Sequence, residues 1–229
     1  MCERLVIPGR AEVEQDLSVL NPWWSFETRF NVAVTHKVPA ARMHAKESEG
    51  VMMRWGLVPA DTKREDSARI GTGIVTVEAA EISASPELRN VWMSGQRCIV
   101  PLAGFYVWQL NGKGYRQPYY VRAINRPVFG VAALWDRFVA DGDDVLEGCA
   151  LVTVPANSLL AELGDEVTRM PAILERDAYT TWLSGRPGEA LELLRTYSAQ
   201  RMLRHAVGPR VNVLEFDDSG LIRPIAGVQ

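Results

Sequence analysis

Between Arg97 and Val154 the chain carries five apolar runs, at 97–100, 104–110, 117–123, 127–134 and 147–154. β-branched and aromatic residues at this density fit pleated, half-buried strands, and each run is shorter than a self-sufficient helix. Asn111-Gly112-Lys113-Gly114 has the chemistry of a hairpin turn, and Asp141-Gly142-Asp143-Asp144 is a second turn. Earlier runs extend the pattern: Arg4 to Ile7, stopped by Pro8-Gly9, then 28–34, 50–58 up to Pro59, and a short β-branched stretch at 74–79. Helical signals are short and scattered. They fall at 11–20, at 85–95 (Ser85 as cap, Pro86 in the first turn, Gly95 past the end), at 156–163 behind Asn157-Ser158, and at 175–183 and 187–199. The polar stretch 60–73, with Gly71 and Gly73, reads as a surface loop, and 205–225 as an extended tail with turns. Strand–helix–strand alternation is missing, so no parallel sheet is expected. The pattern predicts one compact, β-rich α+β domain with peripheral helices.

A chain of 229 residues can bury a sizeable core. Lys+Arg 25 against Asp+Glu 28 leaves a net charge of −3, which argues against a general nucleic-acid coating protein but leaves room for a local basic groove. No segment approaches the ~20 apolar residues of a membrane-spanning helix, and MCERLVIPGR lacks the apolar core of a signal peptide. Three cysteines, Cys2, Cys98 and Cys149, form an odd and sparse set that suits a reducing cytoplasm. Cys98 and Cys149 sit inside apolar runs and read as core; Trp55 and Trp108 read as core rather than as base-stacking platforms. No Cys or His pairs stand at ligand spacing, and neither a phosphate-cradling Gly loop nor a Gly-x-Ser-x-Gly elbow occurs, so no metal and no cofactor are expected.

Six landmarks occur in a fixed order: Met1-Cys2-Glu3-Arg4, Phe30-Asn31-Val32-Ala33, Trp55-Gly56-Leu57-Val58-Pro59, RCIVPLAGFYVW at 97–108, Val152-Thr153 with Ala156-Asn157 and Leu159-Leu160, and Arg169-Met170-Pro171. Together they resemble the SRAP family (SOS-response-associated peptidase), which shields and processes abasic sites in single-stranded DNA. The resemblance implies a single domain over 1–229 with a mainly antiparallel, barrel-like sheet. It also implies abasic single-stranded DNA as partner; beside it, an unknown protein partner stays open, no membrane is expected, and the chain is expected to be a monomer. Cys2 takes the catalytic role: once Met1 is removed, its α-amine attacks the sugar aldehyde to give a Schiff base, and its thiol closes a thiazolidine. These groups titrate near ~7.7–8.0 and ~8.5, so both are partly nucleophilic at neutral pH. The resemblance further implies that Arg4, Asn31 and Arg169 contact the DNA. The alternatives are an ion pair for each arginine, with Glu3, Glu78 or Glu166, and a backbone-pinning role for Asn31.

Several positions depart from the family pattern. Its Asn and Arg on the strand at 74–79 are Ile74 and Thr76, while Glu78 is retained as a structural residue. The acidic residue before Trp108 is Val107, and the His–Asp pair before Arg169 is Val167-Thr168. Glu3 replaces a glycine, and Asp61-Thr62 stand where some members carry an aromatic wedge. The only histidines are His36, His44 and His205. Positioned acid–base groups are typically worth ~10²–10⁴-fold, so the substitutions imply a crosslink through Cys2 that is impaired or absent. The alternative is a pseudoenzyme that uses the scaffold to bind protein or nucleic acid. Lys63-Arg64 and the group Arg201, Arg204, His205 and Arg210 either line a groove or are solvated charge.

Overall fold

The computed structural model describes residues 3–17, 24–45, 47–63, 65–110, 112, 114–139 and 144–225. Twelve strands are described: β1 (Arg4–Ile7), β2 (Arg29–Ala33), β3 (Lys37–His44), β4 (Glu47–Trp55), β5 (Thr76–Glu78), β6 (Arg97–Leu102), β7 (Gly104–Leu110), β8 (Arg116–Ala123), β9 (Phe129–Val139), β10 (Val145–Pro155), β11 (Arg169–Pro171) and β12 (Met202–Ala206). Six α-helices are described with them: α1 (Arg10–Leu17), α2 (Ser67–Thr72), α3 (Arg89–Met93), α4 (Ser158–Ala161), α5 (Tyr179–Ser184) and α6 (Pro187–Glu192).

The larger sheet closes on itself. β10 pairs β4, and the path runs on through β3, β6 and β9, which pairs back to β10. β5 and β11 attach to β10 outside this ring. The second sheet has the order β12-β8-β7-β1-β2. The fold is α+β, barrel-like and mainly antiparallel, as expected.

Two features of the sheets were not legible in the sequence. β3, KVPAARMH, has little β propensity and contains Pro39. It is held by antiparallel pairing with β4 along its whole length, while β6 meets it only at Ala41 and Arg42. Pro39 therefore lies where no donor to β6 is required. The expectation of no parallel pairing is also corrected: β10 runs parallel to β4 at Gly148↔Arg54 and to β5 at Leu151↔Thr76. The chain leaves β4 at Gly56, loops out, and returns through Gly73 to pair Ile74 with Leu57. Backbones meet closely there. A Cβ on Gly148 would lie 2.4 Å from the Gly56 carbonyl oxygen, and one on Gly73, at φ +74°, 2.6 Å from the Gly56 carbonyl carbon. Only glycine fits such contacts.

The 60–73 loop contains α2, whose Ile70 and Gly71 carbonyls accept from the Arg54 guanidinium. α3 is shorter than 85–95: its N-cap is Leu88, and Ser85 contributes only its backbone carbonyl, to Leu88 N–H. Asn157 caps α4 as expected, accepting from Leu160 N–H at 3.1 Å. α6 stops at Glu192, well before 199, and α1 is described only to Leu17. Asn111, Lys113 and Asp141 to Asp143 lie outside the described residues. The flanking pairs Leu110↔Arg116 and Val139↔Val145 are antiparallel.

One apolar cluster spans both sheets and includes Leu5, Trp55, Cys98, Phe105, Phe129, Cys149 and Trp182. The far face of the five-stranded sheet carries Val6, Tyr106 and Tyr120, which the C-terminal residues Val207, Val211 and Leu221 cover. Trp182 donates to the Cys98 carbonyl at 2.8 Å, and Tyr179 ties α5 to α1 through the buried Asp16 carboxylate at 2.8 Å.

Candidate functional site

Side chains alternate along a strand. Leu5 and Ile7 enter the main core with Phe105 and Val107, while Val6 joins Tyr106 and Tyr120 on the far face. Arg4 shares that far face with Tyr106, Trp108 and Arg116. At the edge of the C-terminal cover, Glu3, Arg4, Trp108, Arg116 and Asn212 line a cavity of about 200 Å³. Arg4 donates to the Glu3 carbonyl at 2.9 Å, and the Trp108 indole N–H donates to Asn212 Oδ1 at 2.8 Å, which fixes the ring. Cys2 lies outside the described residues; Glu3 follows it in the chain. Neither Arg116 nor Asn212 was among the residues expected at a site. The β7–β8 register, rather than any motif, puts Arg116 on the same face as Trp108.

Asn31 is placed differently from a DNA contact. Its side chain is fully buried and donates to the carbonyls of Val213 and Phe216, each at 3.0 Å. The Asp217 carboxylate accepts from the backbone N–H groups of Phe30 and Asn31 and pairs with Arg29. Asn31 thus pins the C-terminal segment, because β2 is a sheet edge whose polar groups need partners.

Arg169 belongs to a second cluster. Thr153 of β10 lies opposite Glu78 of β5 and Pro171 of β11. Arg169 donates to Thr153 Oγ1 at 3.0 Å and to the Thr153 carbonyl at 2.7 Å, and stands 3.1 Å from Glu78 Oε2. Its guanidinium is held by an internal ion pair, the alternative weighed for it above. Val107 and Val167 are 3% and 7% exposed and lie in the main apolar cluster, with Ile74 packed against it.

The other charged candidates are partnered. Arg201 pairs with Glu175, Arg204 with Glu162 and Arg210 with Asp218, while His205 Nε2 contacts the Ile222 carbonyl at 2.8 Å. Lys63 is exposed, and Arg64 lies outside the described residues. Burial pushes the Cys98 thiol well up, keeping it protonated and inert. Among the described residues no group of three or more His, Cys, Asp or Glu could hold a metal, and no helix is long and apolar enough to cross a membrane.

His36 lines a second cavity of about 470 Å³ with Arg29, Lys37 and Met52, and its Nδ1 accepts from Ala33 N–H at 3.3 Å. Burial, then Arg29 and Arg4, lowers its pKa, with Asp217 opposing. A depressed imidazole stabilises the fold above the unfolded value of about 6.5, and that contribution is lost as the pH falls through the folded value. Urea unfolding between pH 7.5 and 5 should therefore show acid-side destabilisation that His36→Gln reduces. Identical pH profiles for the two proteins would contradict this.

Known proteins match along most of the chain. It is 26% identical over 218 residues to the abasic site processing protein YoaM of Bacillus subtilis, covering 93% of each chain. It is 28% identical over 191 residues to the abasic site processing protein HMCES of Mus musculus, covering 71% of this chain and 53% of that longer one. A crystal structure of a protein from Bacteroides thetaiotaomicron superposes with a TM-score of 0.85 at 22% identity, covering 98% of this chain and 100% of the other. A second, from Bordetella bronchiseptica, gives 0.78 at 20% identity, covering 90% and 100%. With the family model matching residues 1–214, the chain belongs to the SOS response associated peptidase (SRAP) family.

Proposed function

We propose that this chain captures abasic sites in single-stranded DNA through Cys2, slowly, without a positioned general acid or base. The carrying observation is the pair Val107 and Val167: both are buried in the apolar core at positions where the family pattern has proton-transferring side chains. The Cys2 amine condenses with the sugar aldehyde, releasing water, and the thiol adds across the resulting C=N bond with the proton passing to nitrogen. A 1,2-aminothiol carries out both steps unaided. Reopening the ring needs proton transfers that Val107 and Val167 cannot supply, so the adduct forms slowly and persists. Without positioned acid–base catalysis the rate falls by about 10²–10⁴-fold.

Mass spectrometry establishes first that Met1 is removed. The processed protein, incubated with an abasic single strand, is expected to give a covalent band over hours that is absent in Cys2→Ala. No band from processed protein overturns the proposal. A second reading, a scaffold that binds without chemistry, draws on Arg169, whose guanidinium is already committed to Glu78 and Thr153; it predicts DNA binding or partner capture with no band.

A further inference from the structure

We infer that Arg116 grips a DNA phosphate beside the N-terminus, taking the task for which Arg169 and Asn31 are unavailable. The inference rests on the proposed engagement of single-stranded DNA and deepens it. Thr76 stands at the strand position where the family pattern has a phosphate-binding arginine. Arg169 is paired internally, and Asn31 is buried under the C-terminal segment. The Arg116 side chain, by contrast, is exposed and has no hydrogen-bond or ion-pair partner among the described residues.

Its position is specific. β7 and β8 pair Leu110 with Arg116 and Trp108 with Pro118, so Arg116, Leu110 and Trp108 emerge on one face. The C-terminal segment covers Tyr106 and Tyr120 on that face. It leaves Leu110 45% exposed. The residues that line the cavity carry two guanidiniums, of Arg4 and Arg116, against one carboxylate, that of Glu3. At about 200 Å³ the cavity is the size of a single phosphodiester rather than of a duplex groove. Trp108, oriented by Asn212, and Leu110 offer apolar surface on which a sugar or an unstacked base can rest. The guanidinium fork suits bidentate contact with phosphate oxygens.

The test is fluorescence anisotropy with an unmodified mixed-sequence single strand, over a range of salt. Each phosphate contact contributes about 0.7 to the log–log salt slope for single strands. Arg116→Ala should lower that slope by about 0.7 and weaken binding about fivefold at 0.1 M salt, equally for different sequences. Arg116→Lys should recover most of the slope. Arg122→Ala, which alters an exposed arginine about 20 Å away along β8, should match the parent. Thermal melts confirm that the variants are folded. If the parent binds and Arg116→Ala keeps the parental slope, the inference is overturned while the Cys2 crosslink stands. If the parent binds no single strand, both fall.

Discussion

Val107→Glu should cost the protein about 4 kcal/mol of stability at pH 7.5 and far less at pH 5. Val107 is 3% exposed and packed in the main cluster with Phe105 on one side of β7 and Tyr119 across the β7–β8 pair. Arg4 and Arg116 belong to the opposite face of the sheet, so neither can pair with a carboxylate placed there. Burial of this kind raises a Glu pKa to about 8. The folded value then exceeds the unfolded one of about 4.3, so the penalty is absent at low pH and grows as the pH rises through the unfolded value, at about 1.4 kcal/mol per unit. Between pH 5 and 7.5 the difference from the parent should widen by about 3 kcal/mol in urea unfolding. A variant as stable as the parent at pH 7.5 would mean that position 107 is hydrated and ready to take a carboxylate. Placing an acidic group at position 107 is thus expected to damage the fold.

Asn31→Ala should lower stability by about 2–3 kcal/mol. Two side-chain donations, to the Val213 and Phe216 carbonyls, disappear together, and the fully buried site is left with a small void. For a domain of this size that is a fall in Tm of about 5–10 °C. The loss should concentrate where the contacts are. Limited proteolysis should cut between 209 and 225 sooner in the variant, because the segment over Tyr106 and Tyr120 is released before the barrel opens. An unchanged Tm with an unchanged cleavage pattern would show that Asp217 and the apolar contacts suffice to hold the tail.

The strands from Arg97 onward are legible because their own residues favour the pleated state and short turns join them. β3 is not, since its partners rather than its composition hold it, and neither is the parallel pairing of β10, which depends on three glycine backbones meeting far apart in sequence. At the site, Arg4 and Trp108 stand where strand alternation puts them. For Asn31 the resemblance implies a DNA contact and backbone pinning is the alternative; only the fold reveals that the C-terminal segment uses both of its side-chain N–H groups. Arg116 is not legible for the opposite reason: a single arginine in a polar–aromatic strand has no motif, and its value comes from neighbours that fail to neutralise it.

The Asp217 carboxylate, set against Phe30 and Asn31, has a consequence for self-association. β2 ends the five-stranded sheet, and an unprotected edge of this kind templates pairing with another chain. One carboxylate, paired with Arg29, satisfies two adjacent edge donors. Asp217 thus occupies backbone donors through which a second copy could otherwise zip onto β2.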